Sequence, residues 1–102
     1  MDSRHSRIYV GRLDRGAPAV FAVDSAAVER LLPARGTFAW GAEAGQPALA
    51  LAHALLTDAG GAEPPAEACR LFAGQILARL PHDGFALQRE TVGAWLRRYV
   101  AV

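Results

Sequence analysis

Thr37–Leu56 reads TFAWGAEAGQPALALAHALL. Phe38 and Trp40 stand two apart, so an extended chain would point both to the same side. Gly41 and Gly45 break that pattern, and Pro47 opens a run of alanine and leucine. Proline suits the first helical turn, where no N–H partner is needed, and Ala and Leu are strong helix formers. The stretch therefore predicts a strand over 36–40, a turn, and a helix over 47–59. Apolar side chains occur all around that helix, which marks it as the buried centre of the domain.

Outward toward the N-terminus, RIYVGRL alternates at the two-residue period of a strand. Asp14, Arg15 and Gly16 supply turn chemistry, and AVFAV over 19–23 resumes the β pattern, giving an antiparallel hairpin. Asp24 and Ser25 then read as N-caps for a short helix in AAVERLL, with Val28, Leu31 and Leu32 on one face and Pro33 as its stop. The 36–40 strand is expected to lie beside the hairpin.

Toward the C-terminus, Gly60 and Gly61 end the central helix, and GGAEPPA reads as a connector. Residues 65–80 form a legible amphipathic helix whose stripe is Cys69, Phe72, Ala73, Ile76 and Leu80. Pro81 and the HDG turn close it. A brief strand is expected over 85–87 and a last helix over 88–99, with Val92, Trp95, Leu96 and Tyr99 facing inward. Together these elements make a small α+β domain, an antiparallel sheet packed against three to four helices. It occupies 7–102, behind a frayed polar tail over 1–6.

A chain of 102 residues holds one core. Its 52% hydrophobic content is rich in alanine, so the few aromatic side chains carry much of the burial. All eleven basic residues are arginine, and lysine and asparagine are absent, as in the codon usage of a GC-rich bacterial genome. A net charge of +1 provides no broad field to attract nucleic acid or a membrane surface. The apolar run over 48–56 is about half the roughly 20 residues needed to span a bilayer. Cys69 is the single cysteine and no secretory leader pattern is present, so a cytosolic protein is expected.

Each chemical motif has to be weighed against a structural reading. Glycines before a helix can hold an anion through free amides and the helix dipole. Here Glu43 already supplies a carboxylate, Pro47 removes a donor, and the lysine and Ser/Thr of a phosphate loop are missing. A strand-to-helix turn is the stronger reading of 41–47, with anion or small-ligand binding as the alternative. His53 lies among apolar residues without a His or Glu at helical ligand spacing, which fits a boundary histidine. Cys69 sits on an apolar stripe, where a free thiol acts as a small hydrophobe unless a base such as His53 or His82 approaches it. Trp40, Trp95 and Phe38 read as core before they read as a ligand platform.

Arg4, Arg7, Arg12 and Arg15 cluster near the hairpin, and Arg97 and Arg98 end the last helix. They could contact phosphates if the fold gathered them on one face. The two C-terminal helices resemble a helix-turn-helix only superficially, because FAL between them reads as extended and the last helix has few base-reading side chains.

A short strand bearing Gly11 and Arg12 is followed by F-x-W-G (Phe38, Trp40, Gly41), Pro47 and Leu55–Leu56. The chain closes with LP-x-D-G-F-x-L (Leu80 to Leu87) and WL (Trp95, Leu96). This arrangement resembles a small bacterial and phage family of domains of unknown function. The family pattern has a more glycine-rich loop where this chain has Ala42, Glu43, Ala44, Gly45 and Gln46. The resemblance implies a phage or mobile-element setting and brings no catalytic residue with it.

The sequence is thus read as a non-enzymatic interaction or regulatory module with a protein partner or a second copy of itself. No catalytic group, metal or cofactor is implied, and nucleic acid is disfavoured as a partner. The binding candidates are Arg12, Arg15, Trp40, Gly41, Gly45 and His53. Arginine-dependent attachment to nucleic acid is a further alternative.

Overall fold

The computed structural model describes residues 7–33 and 36–101; the expected tail over 1–6 lies outside them. Strands β1 (Ile8–Asp14) and β2 (Ala17–Val23) form the expected hairpin, in register from Ile8 opposite Val23 to Asp14 opposite Ala17. Arg15 and Gly16 form its turn with φ of 54° and 82°. Two successive positive φ values match the right-handed twist of the flanking strands, and glycine makes the second inexpensive.

The segment after the hairpin departs from expectation. AAVERLL contributes strand β3 (Val28–Leu31), antiparallel to β2, instead of a helix. Asp24 Oδ1 accepts the amides of Ala26 and Ala27 at 2.8 and 2.9 Å, while the Asp24 amide donates to the Ala27 carbonyl. Bonds that could have capped a helix instead close a tight reversal. A helix stopped by Pro33 would be too short to repay nucleation, whereas a strand gains a ladder along β2 at once. The three residues assigned to one apolar face accordingly differ: Val28 and Leu32 are exposed and Leu31 is half-buried.

The expected strand over 36–40 is likewise absent. Thr37–Trp40 has no regular structure and pairs with no strand, because β3 covers the free edge of β2 and β4 (Gly84–Gln88) covers that of β1. The sheet order is β3-β2-β1-β4, antiparallel throughout. Phe38 and Trp40 are nonetheless both buried, as their spacing requires. Trp40 Nε1 donates to the Pro81 carbonyl at 2.9 Å, and its ring meets Phe85 edge-on at 4.8 Å.

Helix α1 (Gln46–Gly60) is the expected central helix, stopped by Gly61 in the left-handed conformation. It buries Ala48, Leu51, Ala52, Leu55 and Leu56 against the sheet and the other helices. Burial does not extend around its whole circumference: Leu49, Ala50, His53 and Ala54 are only half-buried. Helix α2 (Ala66–Gln75) is shorter than the amphipathic pattern predicts, tightening at Ile76 into a 3-10 segment, Leu77–Arg79. The Leu77 carbonyl accepts the Gly41 amide there, so the change of pitch joins α2 to the turn before α1. Helix α3 (Arg89–Ala101) starts directly after β4, with the Arg89 amide donating to the Arg7 carbonyl.

All three helices lie on one side of the sheet. That side is built from Tyr9, Val20, Ala22, Phe85 and Leu87. Gly11 opens it to Phe85: a Cβ at Gly11 would stand 2.0 Å from the ring. The domain is therefore an α+β fold of two layers, with the sheet's other side outermost.

Candidate functional site

The strand registers determine which residues share the outer side. Val28, Val23, Ile8 and Gln88 form one cross-strand row, and Arg30, Phe21, Val10 and Ala86 form the next. Ala19 and Arg12 follow in a third. Ile8, Val10, Phe21, Val23 and Val28 all lie outside the hydrophobic core, and no described element packs over them. Val28 is 67% exposed and Ile8 37%. Leu32, just beyond β3 and 72% exposed, borders α1 instead, beside Ala50, His53 and Ala54.

Two guanidiniums stand over the centre of this face. Arg12 Cζ is 5.7 Å and Arg30 Cζ 5.9 Å from the Phe21 ring centroid. Stacking on an aromatic ring restrains an arginine while leaving its N–H groups directed outward. Neither cation forms an ion pair with a described carboxylate. Asp14, at the turn end of β1, is the single carboxylate in the outward register of the four strands.

A second cluster binds the layers at one end of the sheet. Asp58 of α1 accepts from Arg7 Nη1 at 2.7 Å and from the Tyr9 hydroxyl at 2.5 Å. Arg89 Nη2 donates to the Asp58 carbonyl at 3.1 Å, and Arg7 Nη2 reaches Glu29 at 3.1 Å. Arg7 Nε is buried without a hydrogen-bond partner, 3.9 Å from Asp24 Oδ2. Burial, reinforced by the Asp58 carboxylate, holds the Tyr9 hydroxyl far above the ordinary tyrosine range. The carboxylate and hydroxyl are committed to one another and to Arg7, so the cluster acts as a clasp between β1, β3, α1 and α3.

A third region is a groove of about 680 Å³ between the start of α1 and the segment leading into α2. Its lining includes Pro47, Leu49, His53, Glu63 and Cys69. The histidine and cysteine considered from sequence thus share one groove, where His53 Nε2 lies 3.4 Å from Glu63 Oε1. Burial pushes the Cys69 thiol pKa up, and the Glu63 carboxylate acts in the same direction. Both effects oppose the thiolate that nucleophilic chemistry needs. No group of three or more potential metal-ligating side chains occurs among the described residues.

The binding candidates from sequence are scattered by the fold. Arg12 lies on the open face and Arg15 in the exposed hairpin turn beside it. Trp40 belongs to the core on the opposite side of the sheet. The Gly41 amide is taken by Leu77, and Gly45, with φ of 61°, precedes α1 and accepts the Ala48 amide through its carbonyl. His53 is on the helical layer. Phe21, Arg30 and Val10 are the residues of the open face that sequence reading misses. A signal existed in AVFAV, which is apolar on both faces of a strand, but Arg30 could join it only once VERL had become a strand.

An open four-stranded antiparallel sheet backed by helices on one side defines the class: a two-layer α+β domain. Residues 9–98 match a family of unknown function (DUF6166), and the chain belongs to that family. No curated protein and no solved structure matches the chain. No described helix is long and apolar enough to cross a membrane.

Proposed function

We infer that this protein is a non-enzymatic interaction module whose working surface is the outer face of its sheet and whose partner is another protein. The carrying observation is the apolar patch of Val10, Phe21, Val23, Ile8 and Val28, which no described element covers. Contiguous apolar area on a small domain favours contact with a second surface. The polar clusters elsewhere support the same reading, because the strongest of them is consumed in holding the layers together. The use of arginine for every basic residue is consistent with a GC-rich bacterial genome, the resemblance in sequence with a phage or mobile-element setting, and the lone buried Cys69 with the cytoplasm.

Site-specific photo-crosslinking tests the surface. A crosslinker at position 10 is expected to give a discrete protein adduct in lysate of the source cells, and one at Gly74, on the exposed side of α2, is not. Identical adducts from both positions, or none from position 10, would remove the reading.

A further inference from the structure

Resting on that assignment of the face, we propose that its occupant is an acidic peptide segment of a partner protein, with apolar side chains laid over the Val10–Phe21–Val23 centre and carboxylates paired with Arg12 and Arg30. Charge selects this occupant. In the outward register the centre carries two arginines, and the one carboxylate, Asp14, stands at the far end. Both guanidiniums are held against Phe21 and neither is neutralised by a described carboxylate. A bidentate carboxylate fits the outward fork of a stacked arginine without displacing it.

Area disfavours a second copy of the chain. Four strands at about 4.8 Å spacing and about 3.3 Å per residue give a face on the order of 300–400 Å² in plan. A stable interface commonly buries about 800 Å² on each partner. Packing two such faces would also bring the arginines of one copy toward those of the other, and like charges across an interface oppose association. A peptide segment needs less area than a second copy of the chain and supplies the missing negative charge. Single-stranded nucleic acid is less well suited, because the face offers one aromatic ring, Phe21, where a strand of successive bases needs several.

The test follows backbone amide resonances of the full chain during titration with three short peptides of one length. One intersperses leucine and valine with glutamate; the others replace each glutamate by glutamine or by lysine. The glutamate peptide is expected to shift amides of the Ile8–Arg12 and Ala19–Val23 segments, and added salt is expected to weaken it. Reversing both charges, Arg12→Glu with Arg30→Glu, is expected to reduce its affinity about tenfold or more and to admit the lysine peptide instead. Both side chains are exposed, and the dispersion of the variant's spectrum reports its fold; if the reversal unfolds the chain, Arg12→Gln with Arg30→Gln is expected to erase the preference for glutamate over glutamine without admitting the lysine peptide.

Equal affinity for all three peptides, or no effect of charge reversal, would overturn the acidic occupant while leaving the face as the working surface. Tighter binding of a single-stranded oligonucleotide to the same amides, or a concentration-dependent dimer that shifts them, would overturn it in favour of those occupants. Failure of every peptide to perturb the face would also overturn it. The assignment of the face itself falls only with the crosslinking result.

Discussion

The Tyr9 hydroxyl donates a 2.5 Å hydrogen bond to Asp58 Oδ2, tying the central strand to the middle helix through two side chains. Both states of this tyrosine are protonated below its ordinary value near 10. Above that value the unfolded chain ionises while burial and Asp58 keep the folded hydroxyl protonated. The contribution of Tyr9 is therefore complete below pH 10 and declines as pH rises, at up to about 1.4 kcal/mol per pH unit. Denaturant titrations at increasing alkaline pH should show that loss, and Tyr9→Phe should remove the component due to Tyr9. At neutral pH the same variant is expected to cost about 1.5–3 kcal/mol through the lost hydrogen bond to a carboxylate.

Gly11 gives a steric prediction. The nearest Phe85 atom would be 2.0 Å from a Cβ at that position, closer than any real contact. Gly11→Ala should destabilise the fold by about 1–3 kcal/mol, the usual cost of overpacking, despite the ordinary gain from replacing glycine in a strand. Adding Phe85→Leu to Gly11→Ala should recover part of the loss. Equal or greater stability of the single variant in a denaturant titration would show that the ring moves aside freely.

Asp24 makes the reversal into β3 dependent on its charge. The amides of Ala26 and Ala27 stabilise the carboxylate and lower its pKa. The support it gives is present above the ordinary aspartate range and is lost as pH falls through its depressed folded value. Asp24→Ala should speed hydrogen exchange at the β3 amides that pair with β2 and leave the β1–β4 amides protected. Uniform acceleration over the whole sheet would instead make Asp24 a determinant of global stability.

Cys69 provides a test in the helical layer. With 6% of its surface exposed and its pKa raised by burial, the thiol should react with iodoacetamide far more slowly than a free cysteine at neutral pH. Denaturant should bring the rate to that of an unstructured peptide. Rapid labelling in the native state would give the His53–Glu63 groove a chemical role that its electrostatics oppose.

The parts legible in sequence were those where local and tertiary preferences coincide. The DRG turn in the hairpin, Pro47 in the first turn of α1 and the Cys69, Phe72 and Ala73 part of the α2 stripe each state their structure locally. VERL and GTFAW were misleading because competition for strand edges settled them: VERL took the edge of β2, and GFALQ took that of β1. Phe38 and Trp40 kept their burial without keeping a ladder. The candidate surface was harder to read. Arg12 was recognisable as a candidate, but its relation to Phe21 and Arg30 depends on three strands coming into register.

The β3-β2-β1-β4 order also governs what a ribosome can release in folded form. β1 meets β2 as soon as the hairpin has been made, yet its other edge waits for β4, which is translated after α1 and α2. At roughly 5–20 residues per second, that edge is open for several seconds during each synthesis. The nascent chain therefore passes through an interval in which the central strand could pair with a neighbouring polypeptide, and arrival of Gly84–Gln88 ends it.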